Sequence, residues 1–136
     1  MAIQLNVLTR NARLDSIEST NGASCALEIR TGTPPADCAA AGTGSILVTI
    51  NLPADWMAAA NAGSKAKAGT WQDAGAEGAG TAGHFRIYNS QATKDNTTCF
   101  MQGTCTGGGD MTLDNYVIAV AQVVTITGFT LADANA

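Results

Sequence analysis

Charge is what this 136-residue chain has least of. Asp, Glu, Lys and Arg make up 13% of it, about half the share usual in a globular domain. Seven basic side chains against eleven acidic ones leave a net charge of −4. There is thus no basic surplus to displace counterions from a nucleic-acid backbone. No apolar run approaches the ~20 residues of a bilayer span. His84 is the single histidine, and no two of the four cysteines form a CxxC pair, so the ligand spacing of a zinc site is missing. A basic n-region and an unbroken apolar stretch are also missing from residues 1–20, where Asn6, Thr9 and Arg10 interrupt the pattern. That predicts no signal peptide and synthesis in a cytosol where thiols stay reduced. Cys25, Cys38, Cys99 and Cys105 are accordingly expected as buried or half-buried free thiols. Cys99 and Cys105 would stand about 20 Å apart on one extended strand, so that pair bridges only across a turn.

What is present in excess is small. The chain has 25 alanines and 15 glycines, which predicts a thin core. The length fits one domain, and neither the net charge nor the apolar content is extreme enough for disorder.

Along the chain, Leu5, Leu8 and Ala12 stand at i, i+3, i+7, and Leu14 and Ile17 widen the apolar side. This predicts a helix over residues 3–19, stopped by Asn21-Gly22. The period then becomes two. Cys25, Leu27 and Ile29 alternate with Ala26, Glu28 and Arg30 as a half-buried strand. Residues 31–44, with Pro34-Pro35, form a long loop, and residues 45–52 a second strand. Pro53–Ala60 predicts a short helix. Residues 64–72 are a weak strand carrying Trp71, and residues 73–83 a flexible glycine-rich connection. Strands are expected over 84–89, 98–105, 111–113, 117–120 and 122–131, with a frayed tail over 132–136. One leading helix followed by consecutive short strands predicts a mainly β protein, an antiparallel β-sandwich of jelly-roll-like type. Residues 1–22 would form a helical arm and 23–136 a single β domain.

Candidate chemistry is sparse. Gly78–Gly83 matches GxGxxG, but it leads into a strand rather than a helix N-terminus and lacks the acidic residue expected some twenty positions on. It is read as a loop, with no cofactor. His84 could act as a general base only with a nucleophile or carboxylate in reach, and none is near it in sequence. Asp110 and Asp114 flank a short strand and suit turns better than a calcium site. Asn96-Thr97-Thr98 is a glycosylation sequon without a secretory context. Trp56 and Trp71 suit either a sugar platform or a core. No catalytic set or metal site is visible, and an enzyme is not expected.

Several stretches carry a resemblance: RNARLDSIE (Arg10–Glu18), LEIRTGTPPADCAAAGTG (Leu27–Gly44), LPADWMAAANAGSKAKAGTW (Leu52–Trp71), GTAGHFRIYNS (Gly80–Ser90), MTLDN (Met111–Asn115) and VTITGFTL (Val124–Leu131). Together they resemble small structural proteins of tailed-bacteriophage virions, in particular capsid decoration, or cement, proteins. The resemblance implies a homo-oligomer, trimer or dimer, on the outer capsid surface. Its partners would be the major capsid protein of the same phage and further copies of itself, with no nucleic acid and no membrane. Subunit or shell contacts are expected from Leu5, Leu8, Ala12, Leu14, Ile17, Pro34, Pro35 and Trp56. The alternative is a tail- or fibre-associated module that recognises a host-surface glycan, which would need Trp71 and His84–Tyr88 exposed around a concave face.

Overall fold

A computed structural model describes residues 3–134. The protein is mainly β, with one N-terminal helix and antiparallel sheets packed together as a β-sandwich. Helix α1 spans Val7–Asn21. The strands are β1 (Ala26–Arg30), β2 (Ile46–Asn51), β3 (Ser64–Ala66), β4 (Gln72–Asp73), β5 (Gly80–Thr81), β6 (His84–Tyr88), β7 (Cys99–Thr104), β8 (Met111–Leu113), β9 (Val117–Ile118) and β10 (Val124–Ala132). One sheet has the order β2-β1-β6-β7. A second has β3-β10-β4, with β8 also on β10, and β5 pairs with β9. No helix among the described residues is long and apolar enough to cross a membrane.

Alternation explains the core. Leu27 and Ile29 of β1, Val48 and Ile50 of β2, and Phe85 and Ile87 of β6 point inward and are buried. On β10 the inward set changes parity. Val124 and Ile126 are buried, and then Phe129, because the register slips between Ile126 and Gly128 and a one-residue bulge swaps the faces of a strand. Between the sheets both tryptophans and all three phenylalanines stack on one another. Trp56 meets Trp71 at 6.3 Å and Phe100 at 5.8 Å, while Phe129 meets Trp71 at 5.7 Å and Phe85 at 5.5 Å. The scarce large side chains are thus concentrated in one place.

Three expectations need correction. The helix begins at Val7, not residue 3, because the Asn6 side chain accepts the Thr9 N–H as an N-cap. The predicted stop holds, since the Gly22 N–H closes onto the Glu18 carbonyl. No helix forms over 53–60. Trp56 and Met57 must both be buried, and the segment pairs with residues 66–68: the Ala58 N–H donates to Ala66 and the Ala68 N–H to Trp56. Cross-chain hydrogen bonds and two large buried side chains outweigh alanine's helix propensity. The 73–83 connection is not loose, because the Glu77 and Gly78 N–H groups both donate to the Leu47 carbonyl. Of the tail, Ala132 ends β10, and residues 135–136 lie outside the described residues.

Candidate functional site

The outer face of the β2-β1-β6-β7 sheet is where the molecule departs furthest from an ordinary sandwich. Strand β1 was expected to be half-buried, yet Glu28 is 2% exposed and His84 and Arg86 are fully buried. The cause is the segment 31–44, which folds over this face. Its carbonyls accept from the sheet: Arg86 donates to Cys38 and Ala40 at 2.7 and 3.0 Å, Gln102 to Pro35 at 2.8 Å, Asn96 to Ala39 at 3.2 Å and Arg30 to Thr43 at 3.3 Å.

Buried charge beneath this cover needs partners. One Glu28 carboxylate oxygen accepts from the Tyr88 hydroxyl at 2.8 Å and from Arg30 at 2.8 and 2.9 Å. Burial, then the hydrogen bond to Glu28, pushes the Tyr88 phenol well above its usual value, so it stays a neutral donor. Arg86 faces Glu28 across the β1–β6 pairing and lies over the Tyr88 ring at 5.9 Å.

Among the described residues, His84 hydrogen-bonds to backbone rather than to a nucleophile or a carboxylate. Its Nδ1 lies 2.9 Å from the Gly32 carbonyl, and its buried Nε2 has no partner among the described residues. Burial outweighs the help from that carbonyl and holds the imidazole below its ordinary 6.5. The folded protein therefore binds fewer protons here than the unfolded chain does, and stability falls as pH drops below 6.5. The thermal midpoint should decline by several degrees between pH 7 and pH 5. In His84→Asn, followed by calorimetry over the same range, that decline should flatten. Glu77, held above its ordinary range chiefly by burial, has the opposite sign and acts lower, around 4.5 and above.

The other candidates resolve into structure. Asp110 accepts from the Thr104 N–H at 2.9 Å and hydroxyl at 3.1 Å, and Asp114 from the Thr125 N–H at 3.1 Å. Asp110 closes the turn between β7 and β8, and Asp114 ties the end of β8 to β10. Within Gly78–Gly83, a side chain at Gly78 would strike the Ile46 carbonyl and one at Gly83 the Gly32 backbone. These glycines permit close backbone approach and lead into β6. Among the described residues no three His, Cys, Asp or Glu side chains converge as metal ligands. A groove of about 440 Å³ is walled by Gly32–Pro34, Thr81–Gly83, Thr104 and Thr106.

The residues expected to make contacts separate into two groups. Leu14 is 4% exposed and Trp56 fully buried. Both belong to the core of their own chain and offer no surface, which removes them from the expected contacts. Ile17 packs partly buried against that core. Leu5, Pro34 and Pro35 are half-buried, whereas Leu8 is 73% exposed and Ala12 exposed.

Helix α1 docks by a face that sequence periodicity did not single out. Asn11 accepts the Gly63 N–H at 2.8 Å, and Asp15 accepts the Ala60 N–H at 2.9 Å and Lys65 at 2.8 Å. Glu18 pairs with the same ammonium at 2.9 Å, and Arg10 donates to the Asp133 carbonyl at 3.0 Å. Asn11, Asp15 and Glu18 stand at i, i+4, i+7, one helix face. Burial opposes the charge on Lys65, yet its hydrogen bonds to Asp15 and Glu18 prevail and hold it above its usual range. Asp15 is held below the usual carboxylate range, first by Lys65 and then by the Ala60 N–H. A polar triple on a helix normally signals a solvated face, and nothing near Lys65 in the sequence announces its burial.

Scanned against models of known protein families the chain matches none, and no curated protein or solved structure matches it.

Proposed function

We propose that this chain is a bacteriophage virion structural protein that decorates the outer capsid surface, binding major capsid subunits as a homo-oligomer. One observation carries the reading beyond the resemblance of its sequence. The docked helix leaves its apolar first turn uncovered, with Leu8 at 73% and Val7 at 40% exposure, and Ile3 in the segment leading into it is 85% exposed. Because Asn11, Asp15 and Glu18 fix the helix to the domain, Val7 and Leu8 are presented on a rigid support and lose little freedom on contact. A second apolar tip supports the same reading. Val117, Val120 and Val123 are 67%, 63% and 49% exposed, and the turn between them is clamped by reciprocal backbone hydrogen bonds joining Ala76 to Ala121 and Gln122. Weak contacts of this kind gain strength when repeated over a lattice.

The glycan-binding alternative loses the residues on which it was placed. Trp71 is fully buried, and all five residues His84–Tyr88 are buried too, Phe85 and Ile87 in the core and the others on the opposite face of β6.

The test is Leu8→Asp. An acidic residue in the first helical turn is favourable, and a substitution at an exposed site should change stability by no more than about 0.5 kcal/mol. Self-association measured by sedimentation velocity, and occupancy on purified heads measured by co-sedimentation, should each weaken about tenfold or more. Unchanged association and occupancy would remove this end of the helix from the contact surface.

A further inference from the structure

Cys38 and Cys99 stand 61 positions apart in sequence, one in the covering segment and the other at the start of β7. A single side chain brings them together. Arg86, fully buried in the middle of β6, donates through one terminal nitrogen to the Cys38 carbonyl at 2.7 Å and through Nε to the Cys99 sulfur at 3.3 Å. The two side chains are neighbours, since the Cys99 thiol is among the groups that raise Cys38, and the Cys99 sulfur also points at the Met101 carbonyl at 3.6 Å. The segment around them is fixed on both sides, by Gln102 on Pro35 and by Asn96 on Ala39. Both sulfurs belong to half-buried residues, whereas Cys25 and Cys105 are buried. The Cys25 thiol is directed at the Asn21 and Gly22 carbonyls at 3.7 and 3.5 Å.

We propose that Cys38 and Cys99 are an oxidation site that closes to an intramolecular disulfide when the protein meets a small-molecule disulfide, locking segment 31–44 onto β7. With oxidised glutathione as the co-reactant, the Cys99 sulfur, the one touched by the Arg86 cation, attacks one glutathione sulfur. The glutathione S–S bond breaks, and one glutathione leaves as a thiolate. The Cys38 thiolate then attacks the Cys99 sulfur of the mixed disulfide and expels the second glutathione. The protein loses two electrons and two protons. The glutathione disulfide gains both and leaves as two thiols.

The closed ring constrains the unfolded chain over some sixty residues, which stabilises the folded form. It also holds Pro34 and Pro35 in place whether or not the chain coats a capsid. Burial first, then the neighbouring Cys99 thiol, raises Cys38 to about 11, so closure is slow at neutral pH and faster in mild alkali.

The experiment incubates the full-length protein at pH 8.5 with excess oxidised glutathione, alkylates it, digests it with trypsin and maps it without reduction. Two of the four thiols should disappear, and the intact protein should be lighter by two hydrogens. The tryptic peptide 31–65 should be joined to 95–136, with the link kept in Cys105→Ser and lost in Cys99→Ser. The thermal midpoint should rise on the order of 10 °C and return on adding dithiothreitol. Four persisting thiols, a stable glutathione adduct that never closes, or a link through Cys25 or Cys105 would each overturn the assignment.

Discussion

Replacing Glu28 by alanine should destabilise the protein by about 3–5 kcal/mol, the usual cost of removing one member of a buried ion pair. Glu28 is 2% exposed and its carboxylate serves three hydrogen bonds, two from Arg30 and one from Tyr88. Alanine would leave the Arg30 cation without its anion and the Tyr88 hydroxyl without an acceptor, beneath a segment that admits little water. Glu28→Gln keeps an oxygen for Tyr88 and should cost less. Tyr88→Phe removes one hydrogen bond to a charged group, worth about 1.5–3 kcal/mol. Urea unfolding measures all three, and a shifted midpoint with unchanged slope separates stability from a change in compactness. An alanine variant as stable as the parent would show that the covering segment does not seal this face.

The second large effect is expected at Trp71. The ring is fully buried, lies between Trp56 at 6.3 Å and Phe129 at 5.7 Å, and donates through Nε1 to the Ala68 carbonyl at 3.0 Å. Trp71→Ala opens a cavity where the sheets meet and should cost about 3–5 kcal/mol. That is a large part of the 5–15 kcal/mol available to a typical domain, and the variant should be on the edge of unfolding at room temperature. Trp71→Phe retains a ring against Phe129 and should recover much of the loss. Chemical denaturation followed by circular dichroism decides it. A small effect from alanine would mean that the aromatic stack is not the centre of the core.

Those two sites also show how far the sequence could be read. Period-two alternation located β1, β2, β6, β7 and β8, because inward residues such as Leu27, Val48 and Phe85 recur at every second position, and the Val, Thr and Ile content located β10; both signals are local. The Asn21-Gly22 helix stop was legible for the same reason. Glu28, Arg86 and Tyr88 alternate with the inward residues of β1 and β6, and alternation alone does not reveal that this second face is covered. The segment 31–44 folds back over Arg86, and its contacts there span 46 to 67 positions. The failed helix over 53–60 has a similar origin. Alanines favour a helix locally, but Trp56 and Met57 gain more from the core, and Ala66 and Ala68 complete their backbone pairing. Of the residues expected to make contacts, periodicity found the apolar ones without distinguishing those that face inward. Leu14 and Leu8 look alike in sequence, and only the polar dock of Asn11, Asp15 and Glu18 determines that Leu14 is covered and Leu8 is not.

That uncovered end is the part of the molecule on which its proposed role rests. Mix the purified wild-type chain with phage heads stripped of surface proteins, sediment the particles, and reconstruct them by electron cryomicroscopy. Density for copies of the β-sandwich should stand at a fixed symmetry position, with the Val7–Leu8 end of the helix and the Ile3 segment before it against a neighbouring copy or the shell. Heads that sediment bare, beside a protein that stays single at millimolar concentration, would contradict the account.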